Sequence, residues 1–573
     1  MSLLSSIQMG ANSLQAQQLG LQVVGQNIAN ANTPGYSVET LGLQPGATAR
    51  DGSLLLGSGV EVEGVEQKVD QFLNSQVRSA LSSQSGTGVS SQTYQQLESL
   101  FGALNNTNNG TNLDSAMTSF FSNISQVLNS PTDPTVRQLA VSSGQTLATT
   151  FNQLASGATQ LRSSLNGQVE NDATSVNNLL TQIGSLNLQI VQLQGGNGGA
   201  GAAGNQAVGL TDQRNEALTN LAQLINITTQ QQSDGTVSVY NSGQFLVDEG
   251  NVRQVSVVNS NNDGLQVANL ALQGSNVPLS ITSGEVGGLI NSRDQILGGF
   301  LDQLNSLAGT FASEFNQIYS TGQGLNGYTS VTGTTSVANP AAPLDAAGLP
   351  VSPVNGTFQV QVYNTTTGLA QTSQIEIKEN GLNNDTTLNS LAGQLNGISG
   401  LSAGVNSSGQ LQVSTTSSDV QVAFAGDTSG ALAALGVNTF FSGGDAASLS
   451  VNSTVASDPN TFAASAGGIG VDTQVAQQLA GFASLPLASA GGATISDVYN
   501  SLAANVTQGS SVAQSAASAA STYESSLQSQ QQSISGVSLD TQTVEMLQYQ
   551  QAYEASAKYI SEIDSLLQTL TQL

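Results

Sequence analysis

Two carboxylate pairs stand close enough in sequence to suggest acid–base chemistry: Asp212 with Glu216, and Glu562 with Asp564. The first has i,i+4 spacing, which puts both side chains on one face of a helix, and a solvated face is the simpler reading. The second pair is two apart, so on a helix its members point in different directions. The run Gly195-Gly196-Asn197-Gly198-Gly199 is glycine-rich enough to cradle a phosphate. No Lys-Ser/Thr follows it and no strand pattern precedes it, so it reads as a flexible connection between helices. Sequons such as Asn226-Ile227-Thr228 follow from an Asn/Ser/Thr-rich composition.

The wider chemical repertoire is narrow. The 573 residues include no Cys, no His and no Trp. Thiolate nucleophiles, disulfides, Cys/His zinc sites, Ser-His-Asp triads and His acid–base catalysis are therefore excluded. Ten basic residues against 37 acidic ones give a net charge of −27, too few cations to follow a phosphate track, so no nucleic-acid partner is expected. Only 8% of residues are charged, and the polarity comes from amides, hydroxyls and glycine. No catalytic, cofactor-binding or metal-binding residue is assigned, no cofactor is expected, and the chain reads as a non-enzyme. Absence of Cys suits a protein that crosses membranes unfolded. The first basic residue is Arg50, so the basic n-region of a secretory signal is missing. With no run of about 18 apolar residues, no membrane insertion is expected.

The elements follow from periodicity. Leu3, Ile7, Gly10, Leu14, Gln17, Leu21, Val24 and Ile28 alternate by four and three, a heptad seam on one N-terminal helix. Such a helix is about 40 Å long at ~1.5 Å per residue. Ser2 is its candidate N-cap, and Asn30, Asn32, Pro34 and Gly35 stop it. At the other end, Tyr549, Ala552, Ser556, Tyr559, Ile563, Leu566, Leu570 and Leu573 repeat the pattern from Asp540 onward. A second row, Met546, Tyr553, Ile560 and Leu567, widens that stripe beyond a two-stranded seam and asks for a further partner. Two such helices can cover each other.

Between them, Tyr36–Leu43 and Val60–Glu63 suggest a hairpin around Asp51-Gly52. Helices are expected over about 67–103 and 112–129. Asp133-Pro134 then opens a long helix, carrying Leu147, Phe151, Leu154, Ala158, Leu161 and Leu165, with a second stretch from Val176 to Leu193. Residues 227–282 read as strands and Glu285–Tyr319 as a helix. Residues 323–470 read as short strands with one helix near Thr387–Leu395. Helices return at about 472–484, 494–507 and 508–534, the last with a stripe of Val512, Ala516, Ala519, Tyr523, Leu527 and Ile534. The fold class is α+β and multidomain: an elongated helical stem from paired N- and C-terminal regions, with β-rich inserted outer domains. The boundaries expected are 1–35 with 540–573 (inner helices), 36–226 with 471–539 (mainly helical stem), 227–322 (β insertion and helix) and 323–470 (outer β insertion).

Asn27-Ile28-Ala29-Asn30-Ala31-Asn32-Thr33-Pro34-Gly35-Tyr36 resembles the signature of bacterial flagellar axial proteins of the rod, hook and hook-associated class. Leu289–Asn316 (LINSRDQILGGFLDQLNSLAGTFASEFN), Leu435–Phe441 (LGVNTFF) and the segment from Ser535 (SGVSLDTQTVEMLQYQQAYEASAKYI) are similar to stretches of the hook-associated protein 1 family. The resemblance implies a structural subunit at the hook–filament junction, outside the cell after transient residence in the cytoplasm. It implies a ring-like homo-oligomer touching hook protein and hook-associated protein 3. It also implies export by the flagellar type III pathway, with a cytoplasmic chaperone on the C-terminal region. The assembly interface expected from seams and signature together is Leu3, Ile7, Leu14, Leu21, Val24, Ile28, Asn30, Asn32, Pro34, Gly35, Tyr36, Tyr549, Tyr553, Tyr559, Ile563, Leu566 and Leu570. Isolated helices are marginal, so the terminal ones are expected to order on incorporation. The rival readings are another axial subunit of distal rod or hook, and an adhesin-like fibre.

Overall fold

The computed structural model describes residues 3–33, 35–51, 54–57, 59–103, 112–195, 202–262, 264–382, 384–470 and 472–571. Ser2, Pro34, Gly52, the glycine run from 196 and Leu573 lie outside the described residues, as do the side chains of Leu3 and Leu570.

The helices in chain order are α1 (Leu3–Ala29), α2 (Gln71–Ala103), α3 (Leu113–Asn129), α4 (Pro134–Gly195) and α5 (Ala202–Leu224). There follow α6 (Gly284–Asn291), α7 (Gly298–Tyr319), α8 (Leu388–Asn396), α9 (Ala431–Leu435), α10 (Ser453–Ser457), α11 (Gln474–Ala480), α12 (Ile495–Ser535) and α13 (Leu539–Thr571). The fold is α+β and multidomain. No helix among the described residues is long and apolar enough to cross a membrane.

Three expectations change. The helix expected over Glu285–Tyr319 is interrupted by a π-helical stretch, Ser292–Leu297. The two helices expected over 494–534 are one, α12. Its stripe is not an apolar seam: Val512 and Tyr523 are exposed, and Leu527 is buried. Ala- and Ser-rich sequence keeps a helix going on propensity where packing does not decide.

The chain forms two compact units. The first comprises Met1–Thr93, Ser163–Asp294 and Ser511–Leu573. In it, Glu39–Pro45 pairs antiparallel with Val60–Gln67, and Thr48–Asp51 with Leu54–Gly57, as the hairpin signal required. A four-stranded sheet (Thr228–Gln231, Val237–Asn241, Gln244–Asp248, Asn251–Val252) and the hairpin Val255–Asn262/Leu265–Leu272 lie against α4. Asparagine amides make these joints, because one amide offers a donor and an acceptor to a strand as another strand does. Asn177 bonds both the N–H and the carbonyl of Val255, at 2.8 and 2.9 Å. Asn187 does the same for Val237, at 3.1 and 2.9 Å. Asn166 accepts from the Ala268 N–H and from Arg293. Arg293, in the LINSRDQ segment, is fully buried and also bonds the Ala268 carbonyl and Asp294. That motif is structural.

The second unit comprises Tyr94–Arg162 and Gln295–Ser510. Asp133 caps α4 through the Thr135 N–H at 2.8 Å, as its position before Pro134 predicts. The core is aromatic: Phe120, Phe311, Phe315, Phe440 and Phe441 stack and tilt against one another with centroids 4.7–6.3 Å apart. Here the LGVNTFF motif finds its reason. Buried Asn316 accepts from the Phe440 and Phe441 N–H groups and donates to the Phe441 carbonyl. Asn438, at φ +54°, donates to the Ser320 and Gly322 carbonyls and accepts from the Tyr328 hydroxyl. The β-rich part holds two three-stranded antiparallel sheets. One orders Ala370–Ile377, Gly356–Asn364 and Val420–Ala425; the other Ser330–Thr332, Leu411–Thr415 and Leu401–Val405. Their inner residues close with Leu391 and Leu395 of α8 around Phe358 and Phe424, and α8 starts on a Thr387–Ser390 capping box.

Candidate functional site

Helix α1 carries no charged residue, and α13 carries Asp540, Glu545, Glu554, Lys558, Glu562 and Asp564. The two pack antiparallel along their lengths. The contact is made where α1 is small. A Cβ at Gly10 would come within 2.6 Å of Ile560, and one at Gly20 within 2.4 Å of the Tyr549 ring. Ser13 and Ser556 share a hydroxyl–hydroxyl bond of 3.0 Å. On α13 the facing residues are Gln542, Tyr549, Ala552, Ser556, Ile560 and Ile563, all buried or half-buried. Absent side chains on one helix admit large ones from the other, so the axes come close.

At the end of α1 the pairing closes on one amide. Asn27 is fully buried and uses all four of its hydrogen-bonding positions. Its Nδ2 donates to Gln542 Oε1 and to the Glu39 carbonyl, both at 2.8 Å. Its Oδ1 accepts from the Tyr36 hydroxyl at 2.8 Å and the Glu39 N–H at 2.9 Å. The helix, the signature turn, the first strand and α13 thus meet at a single residue. The turn itself runs through Asn30, whose carbonyl accepts from the Thr33 N–H at 2.9 Å. Gly35 sits at φ +79°, where a side chain is strained.

Beside this knot lies a cavity of about 310 Å³ whose walls include Asn30, Tyr36, Glu39, Asp212 and Glu216. The expectation that Asp212 and Glu216 share a solvated face is half wrong. Glu216 is exposed, but Asp212 is partly buried and accepts from Gln67 Nε2 at 2.7 Å. Burial pushes the Asp212 carboxyl up to about 7, nearby Glu39 adds to the rise, and bonds from Gln67 and the Ser37 backbone oppose it. Burial also raises Glu39, and it raises the Tyr36 phenol, helped by Glu39 and Asp212. The sequence reading missed this because the burying elements come from distant segments.

The anticipated seam is displaced by about one residue on α1. Val24 is buried, but Ile7, Leu14, Leu21 and Ile28 form a half-buried row beside the contact. Gly10 of the anticipated seam joins Ser6, Ser13, Gly20 and Asn27 on the contact face, because small and amide side chains let α13 approach. Val23 turns to a small core with Val65 and Val208. Of the α13 residues, Ile563 is buried, Tyr549 half-buried, and Tyr553, Tyr559 and Leu566 exposed at 40, 42 and 55%. Ile560 takes the central place against Gly10, with the edge of the Tyr559 ring beside it, since a straight helix drifts from a 3.5-residue repeat. Asn30 and Tyr36 are half-buried; Asn32 and Gly35 are exposed.

Comparison with known proteins matches three stretches to family models. Residues 7–36 match "Flagella basal body rod protein", 64–334 "Flagellar hook-associated protein FlgK helical domain", and 528–573 "Flagellar basal body rod FlgEFG protein C-terminal". The flagellar hook-associated protein 1 of Salmonella typhimurium is 24% identical over 99% of this chain and all of its own length. The Escherichia coli protein of that name gives the same identity and coverage. That of Bacillus subtilis is 27% identical over 54% of this chain and 66% of its own. The fold resembles the flagellar hook junction protein FlgK of Burkholderia pseudomallei, with a TM-score of 0.51 at 17% identity, covering 80% of this chain and all of that one. Both terminal segments and the helical region are thus similar to flagellar axial families, and the chain aligns from end to end with proteins named flagellar hook-associated protein 1.

Proposed function

We propose that this chain is a structural subunit joining hook to filament at the hook–filament junction, and that its terminal helices assemble it there. One observation carries the assembly reading. The α1–α13 pair buries its shared face, and α1 also packs through Val23 on Val65, while Tyr553, Tyr559 and Leu566 on α13 stay exposed and Ile7, Leu14, Leu21 and Ile28 on α1 stay half-buried. Apolar surface left in this way marks a contact with other chains. An uncharged α1 lets copies approach without repulsion. The occupants are neighbouring copies of this chain, hook protein on one side and hook-associated protein 3 on the other. Export precedes assembly, through the flagellar type III pathway and with a chaperone holding the C-terminal region. The role is mechanical and not catalytic.

Electron microscopy of cells lacking the chain, with an assay of flagellin in the medium, tests this. Bare hooks with shed flagellin are expected. Missing hooks would move the subunit to the distal rod or hook, a reading favoured by the rod-named matches at both ends. Normal filaments would overturn the flagellar role and favour an adhesin-like fibre.

A further inference from the structure

In the first unit, Arg78 of α2 and Arg214 of α5 line one cavity of about 630 Å³. Arg214 is 3% exposed. Its Nη1 donates to Asn187 Oδ1 at 3.0 Å and to the Gly235 carbonyl at 2.7 Å, and its buried Nε has no partner. Arg78 is half-buried and donates from Nη2 to the Thr229 hydroxyl at 3.0 Å. Among the described residues neither arginine makes an ion pair. Glu66, on the same wall, is exposed and pairs with neither.

This is unexpected in a chain with 37 acidic residues and ten basic ones. A desolvated guanidinium is costly unless a counter-charge reaches it. Here burial alone lowers the pKa of both arginines, and no carboxylate offsets it. Gln67, Asn215 and Thr229 add amide and hydroxyl groups to the wall. We propose that this cavity is an oxyanion site, in which the two guanidinium forks take the oxygens of a carboxylate or a phosphate. The oxyanion comes either from solution or from an acidic side chain of another subunit, and both have the same chemistry.

The test is thermal unfolding of the full chain at constant ionic strength, in chloride, inorganic phosphate or glutarate. The wild type is expected to gain about 1–2 °C at tens of millimolar oxyanion. R78Q loses the gain. R253Q, which removes an arginine lying over Phe245 outside the cavity, keeps it. A gain with phosphate alone assigns a free inorganic anion. A gain with glutarate assigns a carboxylate, as a neighbouring subunit would present. No gain with either anion in the wild type, or a gain that R78Q retains, overturns the proposal.

Discussion

Asn27 and Gln542 stand 515 positions apart in sequence and meet at 2.8 Å inside the protein. Through this contact the first and last helices of the chain share one buried polar knot with Tyr36 and Glu39. Asn27→Ala leaves Gln542, the Tyr36 hydroxyl and the Glu39 backbone without their partner. The expected loss is about 2–4 kcal/mol, read by urea unfolding of the purified chain. Gln542→Ala costs less, because one partner is removed, and the double mutant shows coupling of about 1–2 kcal/mol. An unchanged transition in the purified chain with motility lost would mean that the pair forms only on incorporation.

Gly20 faces the Tyr549 ring with no room for a side chain. Ala is the better helix former by about 1 kcal/mol, but overpacking opposes it, and Gly20→Ala is expected to cost about 1–3 kcal/mol net. Tyr549→Ala makes room, so the double mutant loses less than the two single losses together. Thermal unfolding of the three variants checks this.

Much of the architecture is legible in sequence because it rests on local chemistry. Asp133-Pro134 caps a helix, Thr387 opens another, and the alternation of Phe358–Val362 gives a strand. The terminal pairing is legible too, from matched heptad spacing. Its contact face is legible only in part: Gly10 stands in the seam that spacing gives, whereas Gly20 lies off it and its part appears only against Tyr549. The partial burial of Asp212 is illegible for a similar reason: Gln67 lies 145 positions away. The work of Asn166, Asn177 and Asn187 also needs the strands in place before it can be seen.

The carboxyl of Asp212 is raised in the folded chain from an ordinary 3.8 to about 7, and that of Glu39 is raised as well. A raised acid binds its proton more tightly when folded, so its contribution is complete below pH 3.8 and is lost as pH rises to about 7. The first unit is therefore expected to unfold at lower temperature at pH 8 than at pH 5. Asp212→Asn flattens that slope, and calorimetry across this range is the measurement.

Charge on the uncovered side of α13 separates folding from assembly. Leu566→Asp, at a residue 55% exposed, is expected to change the stability of the purified chain by no more than about 0.5 kcal/mol. Ile563→Asp, at a residue 6% exposed, is expected to cost about 3 kcal/mol or more. Both abolish swimming, scored in soft agar. A motile Leu566→Asp strain would remove that residue from the interface.

The central claim is that other subunits cover the outer side of α13 in the flagellum. The chain has no Cys, so Y553C places one thiol at a position 40% exposed. Maleimide labelling of that thiol is compared between the purified chain and hook–filament junctions isolated from motile cells. The account predicts rapid labelling in the free chain and protection in the assembled junction; equal labelling in both would contradict it.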